Sequence, residues 1–161
     1  MIILVMGVSG SGKSSVGELL AKSLHWEFSD GDSFHSSANV DKMRHGIPLT
    51  DADRMPWLQD IQAAIKDWLQ ENKNVVLVCS ALKESYRQML LVDKEQMKMV
   101  YLKGSFELIE QRLRSRSHHY MLLDLLQSQF DTLEEPTDAI KVDISEPPEV
   151  IVQHIIASLG M

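Results

Sequence analysis

Residues Gly7-Val8-Ser9-Gly10-Ser11-Gly12-Lys13-Ser14 lie between an apolar run, Ile2-Ile3-Leu4-Val5-Met6, and a stretch that places Val16, Leu19, Leu20 and Leu24 at helical spacing. No other segment restricts the fold as much. Glycines let the backbone curl until successive N–H groups point inward, Lys13 adds a mobile cation, and Ser14 offers a hydroxyl to a divalent ion. Buried strand, glycine-rich loop and helix, in that order, make a cradle for the phosphates of a nucleoside triphosphate. Gly7 to Ser14, with Ser15 next on the helix, are therefore the candidate nucleotide contacts, Lys13 serves the transferring phosphates, and Ser14 is a candidate Mg²⁺ ligand.

With 161 residues the chain has room for one domain, 1–161, and little for a second. Hydrophobic residues make up 44% and charged residues 24%, an ordinary globular balance, and a net charge of −7 argues against a surface that coats nucleic acid. No apolar run approaches the ~20 residues of a bilayer-spanning helix, and the N-terminus lacks a charged secretory n-region. A cytoplasmic location is the expectation. The single cysteine, Cys79, excludes an internal disulfide and, at the end of Val75-Val76-Leu77-Val78, reads as a buried structural thiol.

Apolar segments alternate with helical patterns along the whole chain. Strands are expected near 2–6, 26–29, 75–79, 98–102 and 139–143, and helices near 13–24, 39–45, 54–71, 84–92, 105–115, 122–132 and 147–159. Strands joined through helices imply right-handed crossovers and a parallel sheet covered on both faces, a three-layer α/β fold. The helix at 54–71 is the clearest, with Trp57, Ile61, Ala64, Ile65 and Trp68 in register and Pro56 in its first turn. Its tryptophans read as core.

A triphosphate site also needs an acid to organise the metal. In many ATPases that acid ends a neighbouring strand, yet Val75-Val76-Leu77-Val78-Cys79-Ser80 contains none. The alternative is Asp30-Gly31-Asp32, which follows the short Trp26-Glu27-Phe28-Ser29 strand and so falls on the rim where ligands bind a parallel sheet. Two carboxylates one residue apart can divide the labour: Asp30 supports Mg²⁺ through water, and Asp32 accepts a hydrogen bond from an attacking hydroxyl and helps remove its proton. Placing the acid with the acceptor favours transfer to a small molecule over hydrolysis. Asn72-Lys73-Asn74-Val75 lacks the aspartate of a guanine-reading motif and reads as a helix-ending turn.

Further blocks follow the loop: His35, Asn39, Gly46-Ile47-Pro48-Leu49-Thr50-Asp51-Ala52-Asp53-Arg54, Pro56-Trp57-Leu58, Cys79-Ser80-Ala81-Leu82-Lys83, Tyr86-Arg87, Tyr101-Leu102-Lys103-Gly104, Ser128-Gln129-Phe130, Leu133-Glu134 and Pro136. With Asp30-Gly31-Asp32, they resemble the gluconokinases, small P-loop kinases that phosphorylate D-gluconate on its 6-hydroxyl using ATP. The resemblance runs from about residue 3 to 144. It implies a P-loop NTPase fold of the shikimate-kinase or nucleotide-kinase type, a homodimer, and a lid over about 112–136. On this basis Arg54, Lys83 and Arg87 are expected at the substrate carboxylate or at phosphate, with His35 and Asp32 facing hydroxyls.

The same resemblance suggests that Arg112 and Arg116, four residues apart on one helical face, fold over the transferring phosphoryl group, and that His119 contacts substrate from the lid. Two departures stand out. His118-His119-Tyr120 replaces the family's usual Gly-His-Phe, and His35-Ser36 replaces its His-Pro, which is expected to loosen the local backbone. A kinase for shikimate or a nucleoside monophosphate is the same-fold alternative, although Cys79-Ser80-Ala81 stands where shikimate kinases would show a glycine-rich turn. An idle nucleotide-binding protein on this scaffold is the alternative of a different class.

Overall fold

The computed structural model describes residues 1–115 and 123–161. A five-stranded parallel sheet runs through it in the order β2-β3-β1-β4-β5. These strands are β1 (Ile2–Met6), β2 (Glu27–Asp30), β3 (Val75–Val78), β4 (Met97–Lys103) and β5 (Ile140–Asp143). Ile2 of β1 is in register with Val75 on one side and with Met97 on the other. Every residue of β1 and β3 is buried, as their unbroken apolar sequences require of strands covered on both faces.

Alternation along β1 divides the core in two. Ile3 and Val5 join a cluster with Val16, Leu20, Ile109, Ile151 and Ile155, while Ile2, Leu4 and Met6 join Trp57, Leu58, Ile61, Ile65, Tyr86 and Leu90. The first set comes from α1 (Lys13–Leu24), α5 (Phe106–Arg114) and α7 (Pro148–Ser158), the second from α3 (Asp51–Gln70) and α4 (Glu84–Leu90). Two further helices, α2 (Ser37–Arg44) and α6 (Leu123–Thr132), lie near the C-terminal rim, where Met43, Leu49 and Leu125 form a small apolar cluster of their own. Among the described residues, no helix is long and apolar enough to cross a membrane.

Three local differences from the sequence expectation bear on the rim. β2 extends through Asp30, and a 3₁₀ turn over Gly31–Phe34 follows it. α3 begins at Asp51, because Thr50 and Asp53 form a reciprocal capping box that recruits the preceding turn. Pro56 therefore falls in the second turn and leaves the Ala52 carbonyl without its intrahelical N–H. Ser36, expected to loosen its neighbourhood, instead caps α2 by accepting from the Asn39 N–H at 3.2 Å.

Candidate active site

The glycine-rich loop closes at the head of α1. Gly10 and Gly12 have φ of 81° and 91°, a region that a side chain would strain, and Gly12 forms the N-cap with no side-chain partner. The helix thus opens with N–H groups that have no acceptor within the helix and with the positive end of its dipole, as an anion site requires. Lys13 Nζ donates to Val8 O at 3.1 Å, which folds the cation back over the loop. On the loop's first limb the Ser9 N–H donates to Gln129 Oε1 of α6 at 2.6 Å.

Asp30 divides its two oxygens. Oδ1 accepts from the Asp32 N–H at 2.9 Å, capping the 3₁₀ turn, while Oδ2 faces the Ser14 hydroxyl at 3.4 Å. Gly31 permits the turn for a packing reason: a Cβ there would stand 2.8 Å from Val78 O and 3.1 Å from Cys79 Cβ. Asp32 is exposed and lines the cleft. Cys79 beneath the turn is buried, and its thiol is pushed up to about 12 by that burial first and then by the charge of Asp32. It is an inert core group.

His35 stacks on Trp57, with ring centroids 4.2 Å apart and planes 12° from parallel, and Trp57 Nε1 donates to Gly31 O at 2.7 Å. Burial, and then the charge of Arg54, hold the imidazole down to about 4, so it is neutral near pH 7. Arg54 spends one N–H on Tyr86 Oη at 3.1 Å, leaving the rest of its fork available toward the cleft it lines. Tyr86 in turn donates to Asp51, which also accepts from Lys83 Nζ at 2.9 Å.

One cleft of about 330 Å³ is lined by Lys13, Ser14, Asp30, Asp32, His35 and Arg54, so these sequence candidates converge. Others do not. Arg87 is 1% exposed, and its guanidinium is spent on the carbonyls of Ala81, Leu82 and Glu134 and on the Glu84 carboxylate. The expected substrate contact is a structural clamp, because four acceptors surround it inside the protein. Lys83 is outside the cleft lining, its charge held by Asp51. Arg112 belongs to a different cleft, with Ser11, Gly12, Ser15, Glu146 and Pro148, where it donates to Ile144 O. Arg116 and His119 lie outside the described residues.

Comparison with known proteins separates the alternatives on this scaffold. The shikimate kinase family model matches residues 9–159. The thermoresistant gluconokinase of Escherichia coli (strain K12) is 45% identical over 159 residues, covering 96% of this chain and 91% of that protein. The gluconokinase of Arabidopsis thaliana is 44% identical over 170 residues, covering 96% and 90%. Among solved structures, a gluconokinase from Sinorhizobium meliloti 1021 superposes with a TM-score of 0.86 at 44% identity, covering 98% of this chain and 90% of that one.

The chain belongs to the gluconokinase family. It is a P-loop kinase of shikimate-kinase-like fold.

In this gluconokinase-family chain, sequence reasoning gave no role to several residues of the cleft. Trp57 has the helical spacing of a core residue and is 3% exposed, yet it also forms a wall of the cleft behind His35. Ser80, Ser128 and Gln129 line the cleft as well. Helical periodicity could not separate a core tryptophan from a stacking one, since both obey it. Glu134, within the Leu133-Glu134 and Pro136 block, serves the Arg87 clamp: its N–H donates to Leu82 O, and its Oε1 accepts from the Glu84 N–H.

Proposed function

We propose that this chain transfers the γ-phosphoryl group of ATP to the 6-hydroxyl of D-gluconate, giving 6-phospho-D-gluconate and ADP. The observation that carries the reading is the single cleft that sets Lys13 and Ser14 of the phosphate loop against Asp32, His35 and Arg54. Loop amides and Lys13 bind the phosphates. Arg54 meets the gluconate carboxylate with the N–H groups that Tyr86 leaves over. His35 contacts a hydroxyl, and Asp32 accepts the hydrogen bond of the attacking hydroxyl and takes its proton as transfer proceeds.

Ser14 Oγ and Asp30 Oδ2, two hard oxygen donors 3.4 Å apart beside the loop, suit Mg²⁺ shared with phosphate oxygens and water. When bound, that ion supplies charge neutralisation on the phosphates. The cleft of Ser11, Gly12, Ser15, Arg112 and Pro148 is assigned to the nucleotide base, because a guanidinium plane and a proline ring there offer two faces for it. Arg116 and His119 are assigned to a lid over 112–136 that closes on the phosphoryl group. A cytoplasmic setting is supported by the lone, buried Cys79, and a homodimer by the family resemblance; sedimentation velocity tests the latter.

A coupled ADP-release assay across gluconate, other sugar acids, shikimate and nucleoside monophosphates tests the assignment. Turnover should be confined to gluconate and near relatives. Robust turnover of another acceptor with none on gluconate would overturn it. Within the assigned reaction, Asp32→Ala should lower kcat by about two decades or more and leave ATP binding largely intact. Near-normal turnover in that variant would remove Asp32 from its role.

A further inference from the structure

Asn39, on the first turn of α2, is 6% exposed and makes two side-chain contacts that together define the state of His35. Its Nδ2 lies 2.9 Å from Asp53 O. A backbone carbonyl only accepts, so the atom facing it must be the amide nitrogen and not the amide oxygen. The same nitrogen lies 3.3 Å from His35 Nδ1. An amide nitrogen carries two hydrogens; one serves Asp53, and the other is directed at the ring. Nδ1 is therefore an acceptor without a proton, and a neutral imidazole must then carry its proton on Nε2.

We propose that Asn39 is a positioning residue that fixes His35 as the Nε2–H tautomer, so that His35 presents a neutral hydrogen-bond donor to an oxygen of the acceptor and leaves proton acceptance to Asp32. The substrate half of this inference rests on the gluconate reading; the tautomer half does not. The arrangement is braced from several sides. Asp53, whose carbonyl orients Asn39, sits in the capping box of α3 and is paired with Lys42 of α2 at 2.9 Å, which locks the two helices together. Trp57 sets the plane of the ring. The charged groups lining the cleft with His35 are Lys13, Asp30, Asp32 and Arg54, and the cation of Arg54 disfavours a second proton on the ring.

This division has a chemical consequence. A hydroxyl that accepts from His35 Nε2–H keeps its own proton free to point at a carboxylate, so donor and acceptor act on one oxygen without competing. The opposite tautomer would place a bare nitrogen lone pair toward the substrate beside a carboxylate, with no donor between them.

Long-range ¹H–¹⁵N NMR of the labelled, nucleotide-free protein at pH 7 reads the tautomer directly, without any acceptor. His35 should show a protonated Nε2 and an unprotonated Nδ1. Asn39→Asp replaces the donor by an acceptor and should move the proton to Nδ1; gluconate KM should then rise about tenfold or more, with ATP KM within about twofold of the parent. A wild-type ring protonated at Nδ1 overturns the proposal with no variant needed, as does an unchanged ring in folded Asn39→Asp. A moved proton with unchanged gluconate KM overturns the substrate half alone. Failure of gluconate turnover in the parent enzyme, with the Nε2–H ring intact, counts against the gluconate reading and not against the tautomer.

Discussion

The starts of α3 and α4 look alike in sequence and do opposite things. Each opens with an acid, Asp51 or Glu84, and carries an arginine as its fourth residue, Arg54 or Arg87. Arg54 lines the cleft, whereas Arg87 is enclosed and clamps three carbonyls. The difference comes from what passes over each helix. The Glu134 segment crosses the start of α4, supplies one of those carbonyls, and bonds back to Glu84 and Leu82. Nothing comparable among the described residues covers Arg54, whose neighbours are the Tyr86 hydroxyl and the open cleft. A cation's role is set less by its helix position than by whether the protein itself supplies the acceptors.

The largest effect should come from breaking the clamp. Arg87→Ala strands buried carbonyls and opens a void, and should cost about 3 kcal/mol or more in urea unfolding. Arg87→Lys should recover little of it, since an ammonium lacks the planar fork. A loss under about 1 kcal/mol would erase the contrast with Arg54. Arg54→Ala should do the reverse: gluconate KM up by about a hundredfold, with unfolding free energy within about 1 kcal/mol of the parent. Unchanged KM would deny Arg54 the carboxylate.

A subtler separation comes from pH. His35 is held at about 4 in the native state against 6.5 as an ordinary histidine, through burial and then Arg54. Between those values the unfolded chain binds a proton that the native chain does not, so stability falls as pH drops from 6.5 toward 4 and is independent of this group above. Allowing for partial exposure, the loss is on the order of 1 to 2 kcal/mol. His35→Gln should flatten that slope in urea titrations, and Arg54→Ala should reduce it. The smallest effect belongs to Lys83→Ala: its pair with Asp51 is partly exposed, so stability should change by about 0.5 kcal/mol or less and gluconate KM not at all. A tenfold KM rise would return Lys83 to the site.

The order of strands and helices was legible because burial on both faces leaves unbroken apolar runs, and the phosphate loop because its glycines answer a backbone requirement. The cleft was legible wherever a residue's chemistry is unusual for its place, as at Asp30 and Asp32 after a short strand. Arg87 was not, since its burial depends on Glu134, nearly fifty residues further along the chain. Nor was the role of Asn39, which needs both a carbonyl from α3 and a ring from the turn before α2. Ala81 is a local case: it takes φ 44°, which a side chain disfavours, and its carbonyl is held by Arg87 six residues further on.

Asp30 shares its oxygens between the Asp32 N–H and the Ser14 hydroxyl. A carboxylate bonded in this way has lost its rotation before any ligand arrives. The entropy of aiming it is charged to folding, once, and not to ligand binding. An incoming ligand then meets an already oriented oxygen.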